Sequence, residues 1–438
     1  MTRWPGTVAA IAFLAGWCGW VAQARETIAV VDNSTLNGKL VVGFQGWFMC
    51  PGDAASKTGW WHWFTDDRAD PEHVHFDFLP DVSELDPDER CATGLKTPQG
   101  HPIWLFSDQN PKTVLRQFQW MQAAGIETVA LQRFVVDIDP AHPVAGVAAV
   151  DQVLANVRAA AEATGRSFFV MYDIVGADKG SWAQTLARDW ATLVSRNLTS
   201  STAYQRHKGH PVLALAGVGS DDRPGTASQM LELVHHLRAT TPGGVTLMGE
   251  VATNWRTLDG DSKTDPAWSG TYRAFDILSP WTVGRFEDEV SFERYRTQRL
   301  EPDLEETRRL GIQLMPVLYP GFSMANQSRI NGQPRERLNK IPRRCGRFMQ
   351  LQADAYILAG AQMLFGAMFD EVDEGTALFK MVALRTDLPA QPALVPLDEG
   401  DCHVDSDFYL RLTGAIAAQL KKGCHAASPL EHSPCSRK

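Results

Sequence analysis

Basic runs, metal-knuckle cysteines and a phosphate-binding glycine motif are all missing from this 438-residue chain. Acids outnumber bases, 51 Asp and Glu against 42 Lys and Arg, for a formal charge of −9. With no basic cluster to override that balance, nucleic acid and anionic lipid are excluded as partners. None of the seven cysteines forms a C-x-x-C pair, which argues against a zinc knuckle. The G-F-Q-G stretch at 43–46 is a poor match to the dinucleotide fingerprint, so a doubly wound nucleotide-binding sheet is disfavoured. No stretch beyond the N-terminus could cross a bilayer, so no stable membrane insertion is expected. No internal repeat, low-complexity tract or linker divides the chain.

The N-terminus does carry a signal. Residues 1–24 read as a secretory leader: Arg3 is its single charge, an apolar segment follows, and V-A-Q-A at 21–24 has the small-x-small form of a cleavage site. Trp17 interrupts a lipoprotein-type L-A-G-C ahead of Cys18, so a released protein, secreted or periplasmic, is expected. Six cysteines then remain: Cys50, Cys91, Cys345, Cys402, Cys424 and Cys435. An even number in an exported chain suggests disulfides. Many pairings are open; Cys50 with Cys91 would close the long loop after the first strand. The folded domain is expected over 25–422, with an irregular tail over 423–438.

Along the domain, apolar runs of strand length alternate with amphipathic helical stretches. The runs are 40–48, 127–135, 167–175, 211–218, 245–251, 276–282, 313–319 and 362–369. Helices are expected at 111–124, 147–164, 181–197, 227–240, 292–310, 347–358 and 408–420. Only the segment at 257–273 is short and irregular. Eight such β-then-α units predict a single (β/α)8 barrel of the TIM type, α/β in class. A long aromatic-rich loop over 49–110 follows the first strand, and loops of that length tend to carry function.

In a parallel barrel the pocket lies at the C-terminal rim of the strands. Those strand ends supply Gln45, Trp47, Gln132, Arg133, Tyr172, Asp173, Glu250, Asn254, Trp255, Ser279, Trp281 and Tyr319. The eighth run adds Asp370, Glu371, Asp373 and Glu374 within five residues of its end. Trp61 and His62, in the long loop, are further candidates for contact with a ligand. The set lacks a nucleophilic Ser or Cys with a His partner, and it lacks paired His for a transition metal. D-G-D at 259–261 resembles a calcium loop too faintly to count. No cofactor and no metal ligand are therefore expected. Aromatic faces stack on pyranose rings, amides and acids hold hydroxyls, and two carboxyls cleave glycosidic bonds. Glu371 and Glu374 are the expected catalytic pair: three residues apart, they would share one face of a helical turn. Close carboxyls repel, so one holds a proton and serves as acid while the other serves as base. The substrate-binding candidates are Gln45, Trp47, Trp61, His62, Arg133, Tyr172, Asp173, Glu250, Trp255, Trp281, Tyr319 and Asp370.

Four motifs together carry a family likeness: V-G-F-Q-G-W-F at 42–48, G-W-W-H-W at 59–63, L-Q-R-F at 131–134 and F-D-E-V-D-E-G-T at 369–376. The chain resembles, over most of 38–422, the glycoside hydrolase family 71 and 99-like proteins, relatives of the endo-α-mannosidases. Bacterial relatives that begin in this way are often labelled xylosidase/arabinosidase. The endo-α-mannosidases carry an Asn-Glu-Trp-x-Glu-Gly motif. Glu371, Glu374 and Gly375 match it, while Asp370 stands for the Asn and Val372 for the Trp. The resemblance implies a (β/α)8 barrel and a retaining reaction through a 1,2-anhydro sugar. Glu371 would deprotonate the 2-hydroxyl, and Glu374 would be acid and then base. Oligo- or polysaccharide is the implied substrate, on a monomer. The competing expectations are a non-catalytic carbohydrate-binding or envelope protein on a degenerate barrel, and a metal-dependent hydrolase using the four acids as oxygen ligands.

Overall fold

The computed structural model describes residues 1–2, 30–53, 59–141, 146–334, 336–400 and 402–423. All but the first two residues of the expected leader, and the tail with Cys424 and Cys435, lie outside the described residues.

Eight parallel strand positions form in the order expected. They are Leu40–Phe44, Thr128–Phe134, Ser167–Asp173, His210–Val218, Thr246–Val251, Ile277–Pro280, a seventh in two pieces, Gln313–Leu314 and Val317–Leu318, and Leu364–Gly366. The pairs run first with second, second with third, and so on to fifth with sixth. The first piece of the seventh strand pairs with the sixth and the second piece with the eighth. The eighth pairs back to the first, so the ring closes. The break in the seventh strand falls at Pro316, which has no N–H to give the ladder. Its carbonyl still accepts from Phe365 N at 2.9 Å. The first strand is buried at every position, as the fourth is after His210. Burial on both faces is what a barrel wrapped in helices requires, and it explains why these strands read as continuous apolar runs.

The helices follow the expected rhythm at Pro111–Ala124, Val147–Thr164, Trp182–Ser195, Ala227–Thr240, Arg347–Leu358 and Phe408–Lys422. The expected 292–310 helix is a helical run over 289–310 with a π-turn at Arg296–Leu300. Between the fifth and sixth strands only Trp268–Tyr272 is helical.

The first strand stops at Phe44 instead of running to 48. The reason is at hand: the backbone N–H groups of Gln45 and Gly46 each donate to the Asp370 carboxylate, at 2.9 Å. A side chain thus replaces the neighbouring strand as acceptor, and the chain peels away from the sheet.

The long loop is a packed layer over the barrel mouth. It contains a hairpin, Cys91–Lys96 with Pro102–Leu105, and a disulfide joins Cys50 to Cys91. A second disulfide joins Cys345 to Cys402. Trp63 is fully buried and stacks on Phe48 with ring centroids 4.0 Å apart, with Phe76 and Phe106 edge-on around it. Trp60 and Phe64 are buried as well. Most of the loop's aromatic content is therefore core for a second layer.

Candidate active site

The acid-bearing segment leaves the eighth strand as a tight turn, not as the helical turn expected. Backbone N–H groups of Thr376 and Ala377 return to the Glu371 carbonyl at 3.0 and 2.9 Å. The turn is then clamped from outside: Ser323 N–H donates to the Glu374 carbonyl at 2.9 Å, and Asp77 N–H to that of Val372 at 3.2 Å. Gly375 adopts φ +67°, and a Cβ placed there would lie 2.8 Å from the Ser323 nitrogen. Glycine is needed both for the left-handed backbone and for the close approach.

Glu371 is buried and doubly held. Its Oε1 accepts from Gln45 Nε2 and its Oε2 from Thr376 Oγ1, both at 2.9 Å. Burial holds its carboxyl well above the usual range, and the charges of Glu374 and Asp373 add to this. Glu374 is half-buried, and burial, with Asp373 beside it, pushes its carboxyl up to about 7. Both line one cleft of about 1040 Å³ at the C-terminal rim.

Gln45, Trp47, Asp173, Glu250 and Trp281 also line that cleft, among the expected binders. Asp173 on the third strand and Glu250 on the fifth lie on either side of the fourth strand, and burial raises both. Glu250 reaches about 8, with Asp173 reinforcing and Arg223 opposing the shift. The cleft therefore has two acidic foci, Glu371 with Glu374 and Asp173 with Glu250. Trp47, Phe134, Trp281 and Phe322 contribute rings to its lining.

Seven of the expected binders do not line the cleft, and packing gives the reason in each case. Arg133 is 2% exposed and points into the helical layer. There it donates to both carboxylate oxygens of Asp189 at 2.7 Å and to Asp151 at 2.8 Å. Tyr172, its partner in register, gives its hydroxyl to the same Asp189. Trp255 donates to buried Asp303 at 3.0 Å, and the Tyr319 hydroxyl to the Phe286 carbonyl at 2.6 Å. Asp370 is fully buried beneath Gln45 and Gly46. It acts on the site indirectly, because the backbone it fixes is that of the Gln45 that holds Glu371. Trp61 and His62 lie behind Trp47: the His62 ring stacks on Trp47 at 3.6 Å, on the side away from the cleft lining.

Sequence reading missed the arginines of the rim. Arg223 and Arg285 line the cleft from loops, and Arg294 and Arg299 from the helical run over 289–310. Asp261, from the faint calcium-like stretch, instead accepts from the backbone N–H groups of Thr253 and Asn254 at 3.0 Å and pairs with Arg285. No local pattern announces such residues; only the closed ring brings them together. The same holds for His62, His75 and Asp373, which offer one ligand atom each within 4.8 Å of one another and are suited to a metal ion. Asp86, Asp88 and Glu89 also converge, but Lys112 and Arg116 engage them.

No family model and no curated protein matches the chain. Solved structures do. The chain is similar to the GH99 endo-alpha-mannosidase from Bacteroides thetaiotaomicron bound to BIS-TRIS-propane: 14% identity, 89% of this chain and 99% of that one covered, TM-score 0.60. A second structure of the GH99 endo-alpha-mannosidase from that organism gives 13%, 89%, 99% and 0.59. A glycoside hydrolase-like protein gives 10%, 90%, 97% and 0.53. Identities this low establish the fold: the chain has the (β/α)8 architecture of endo-α-mannosidase-type glycoside hydrolases, over nearly the full length of those proteins.

Proposed function

We propose that this chain is an exported glycoside hydrolase with Glu371 and Glu374 as its working acids. One observation carries the reading: both carboxyls, one fixed by two hydrogen bonds and one open, line a single large cleft at the end of the barrel where such enzymes react. The aromatic and amide lining supports a sugar occupant, and the likeness in fold to endo-α-mannosidases supports the reaction class. The two disulfides support an oxidising compartment, secreted or periplasmic. Among the described residues no helix is long and apolar enough to cross a membrane.

The route we favour is retaining. Glu371 acts in its ionised form, which the Gln45 and Thr376 donors stabilise against burial, and takes the proton of the sugar 2-hydroxyl while O2 attacks the anomeric carbon. The glycosidic C–O bond breaks, and Glu374 delivers its proton to the leaving oxygen. Glu374 then takes a proton from water, which opens the 1,2-anhydro ring as Glu371 returns its proton to O2. Attack from behind requires O2 trans to the leaving group, so α-mannosides, β-xylosides and α-arabinofuranosides qualify and α-glucosides do not. A panel of such glycosides and polysaccharides tests the assignment, with product anomers read by NMR. Glu374→Gln is expected to lose turnover by several orders of magnitude while still binding oligosaccharide. Near-wild-type turnover would remove Glu374 from the mechanism, and binding without hydrolysis across the panel would leave a carbohydrate-binding protein.

A further inference from the structure

We infer that His62, His75 and Asp373 form a binding site for a divalent transition-metal ion of the zinc type, set behind the cleft wall. The three residues come from two segments far apart in sequence and offer one ligand atom each within 4.8 Å of one another. Two imidazoles and a carboxylate are a donor set that suits zinc, with water completing the shell. In a tetrahedral site with ligands at about 2.0–2.1 Å, neighbouring donor atoms sit roughly 3.3 Å apart. His62 Nδ1 and Asp373 Oδ2 are already 3.0 Å apart.

A plain hydrogen bond between His62 and Asp373 does not account for the rest of the cluster. Asp373 is fully buried, and its Oδ1 has no partner. His75 Nδ1 is buried and also has none. Buried polar atoms nearly always have partners, and here two orphans occur in one cluster of metal-ligating side chains. Access exists as well: His62 and His75 line a pocket of about 420 Å³, together with Trp60, Trp61 and Phe64, that is separate from the cleft.

None of the three ligands lines the cleft. Trp47, stacked on His62 at 3.6 Å, stands between. The ion would therefore work as a pin. It would join the aromatic loop, through His62 and His75, to the segment that carries Glu371 and Glu374, through Asp373 between them. This site stands whether or not the cleft cleaves a glycoside.

The test uses the full chain without an affinity tag, stripped with chelator, dialysed and titrated with Zn²⁺ by calorimetry and bound-metal analysis. One zinc per chain is expected, with a higher unfolding temperature, and Co²⁺ in place of zinc should give visible d–d absorption. His75→Ala should weaken zinc binding at least tenfold and abolish the temperature rise, read for each protein against its own metal-free form so that any loss of packing is subtracted. Asp373→Asn should weaken binding similarly and serves if the first variant folds poorly. Sub-stoichiometric zinc in the wild type, or unchanged affinity in both variants, overturns the site.

Discussion

Replacing Gly375 by alanine strikes the acid-bearing turn at its tightest point. The backbone there sits at φ +67°, a conformation that costs an L-residue about 1–2 kcal/mol. The added methyl would meet the Ser323 nitrogen at 2.8 Å and Phe78 Cε2 at 3.0 Å, so backbone or ring must move. Overlap of that kind adds about 1–3 kcal/mol, for a total of roughly 2–5 kcal/mol. Unfolding entropy scales with length, so for a chain of this size each kcal/mol is worth about 1 °C of melting temperature. The expected fall is thus about 2–6 °C. Gly332→Ala is the matched control, because Gly332 has φ +64° with nothing within 4 Å of its Cβ position. It should lose only the backbone term, about 1–2 °C. Activity separates the pair further. Ser323 N–H holds the Glu374 carbonyl, so relief of the clash displaces Glu374, and a misplacement of order 1 Å costs kcat about a hundredfold. Differential scanning calorimetry and turnover on the best glycoside measure both effects. Should Gly375→Ala match Gly332→Ala in melting temperature and keep kcat within about twofold, the clamp has no bearing on Glu374.

Two further outcomes follow from buried charge. Arg133→Ala strips two carboxylates, Asp189 and Asp151, of a buried partner and should cost about 3–5 kcal/mol with KM unchanged. A raised KM at undiminished stability would put Arg133 back among the sugar contacts. Glu250 gives a pH dependence: its carboxyl stands at about 8 in the folded chain against 4.5 ordinarily, so the native state keeps the proton longer than the unfolded one. Stability from this group is full below pH 4.5 and is lost as pH rises toward about 8, where the loss levels off. Glu250→Gln should flatten that slope in urea unfolding measured between those limits, and identical slopes in variant and wild type would refute the assignment.

The strands were legible because a barrel strand is buried on both faces, and burial writes itself into local composition. The acid cluster was legible for a related reason: Met363 to Phe369 is too apolar to be anything but interior, so the four acids beyond it had to emerge at a rim. The Cys50–Cys91 link was one of many pairings left open by the sequence, and the folded loop is what selects it. The roles of neighbouring residues at strand ends were not legible. Gln132 and Arg133 are adjacent, yet one lines the cleft and the other is tied to Asp189 among the helices.

Sequence by itself therefore determined the eight-stranded rhythm, the fold class and the segment that delivers Glu371 and Glu374. Tertiary structure alone decided that Asp370 is a bracket under Gln45, that His62 backs Trp47, and that His75 meets Asp373. Apolar periodicity is a local property, since each residue's burial repeats along its own element. Which side of a strand exit faces the cleft depends on the parity and closure of a ring whose members are tens to hundreds of residues apart, and no window of sequence contains that information.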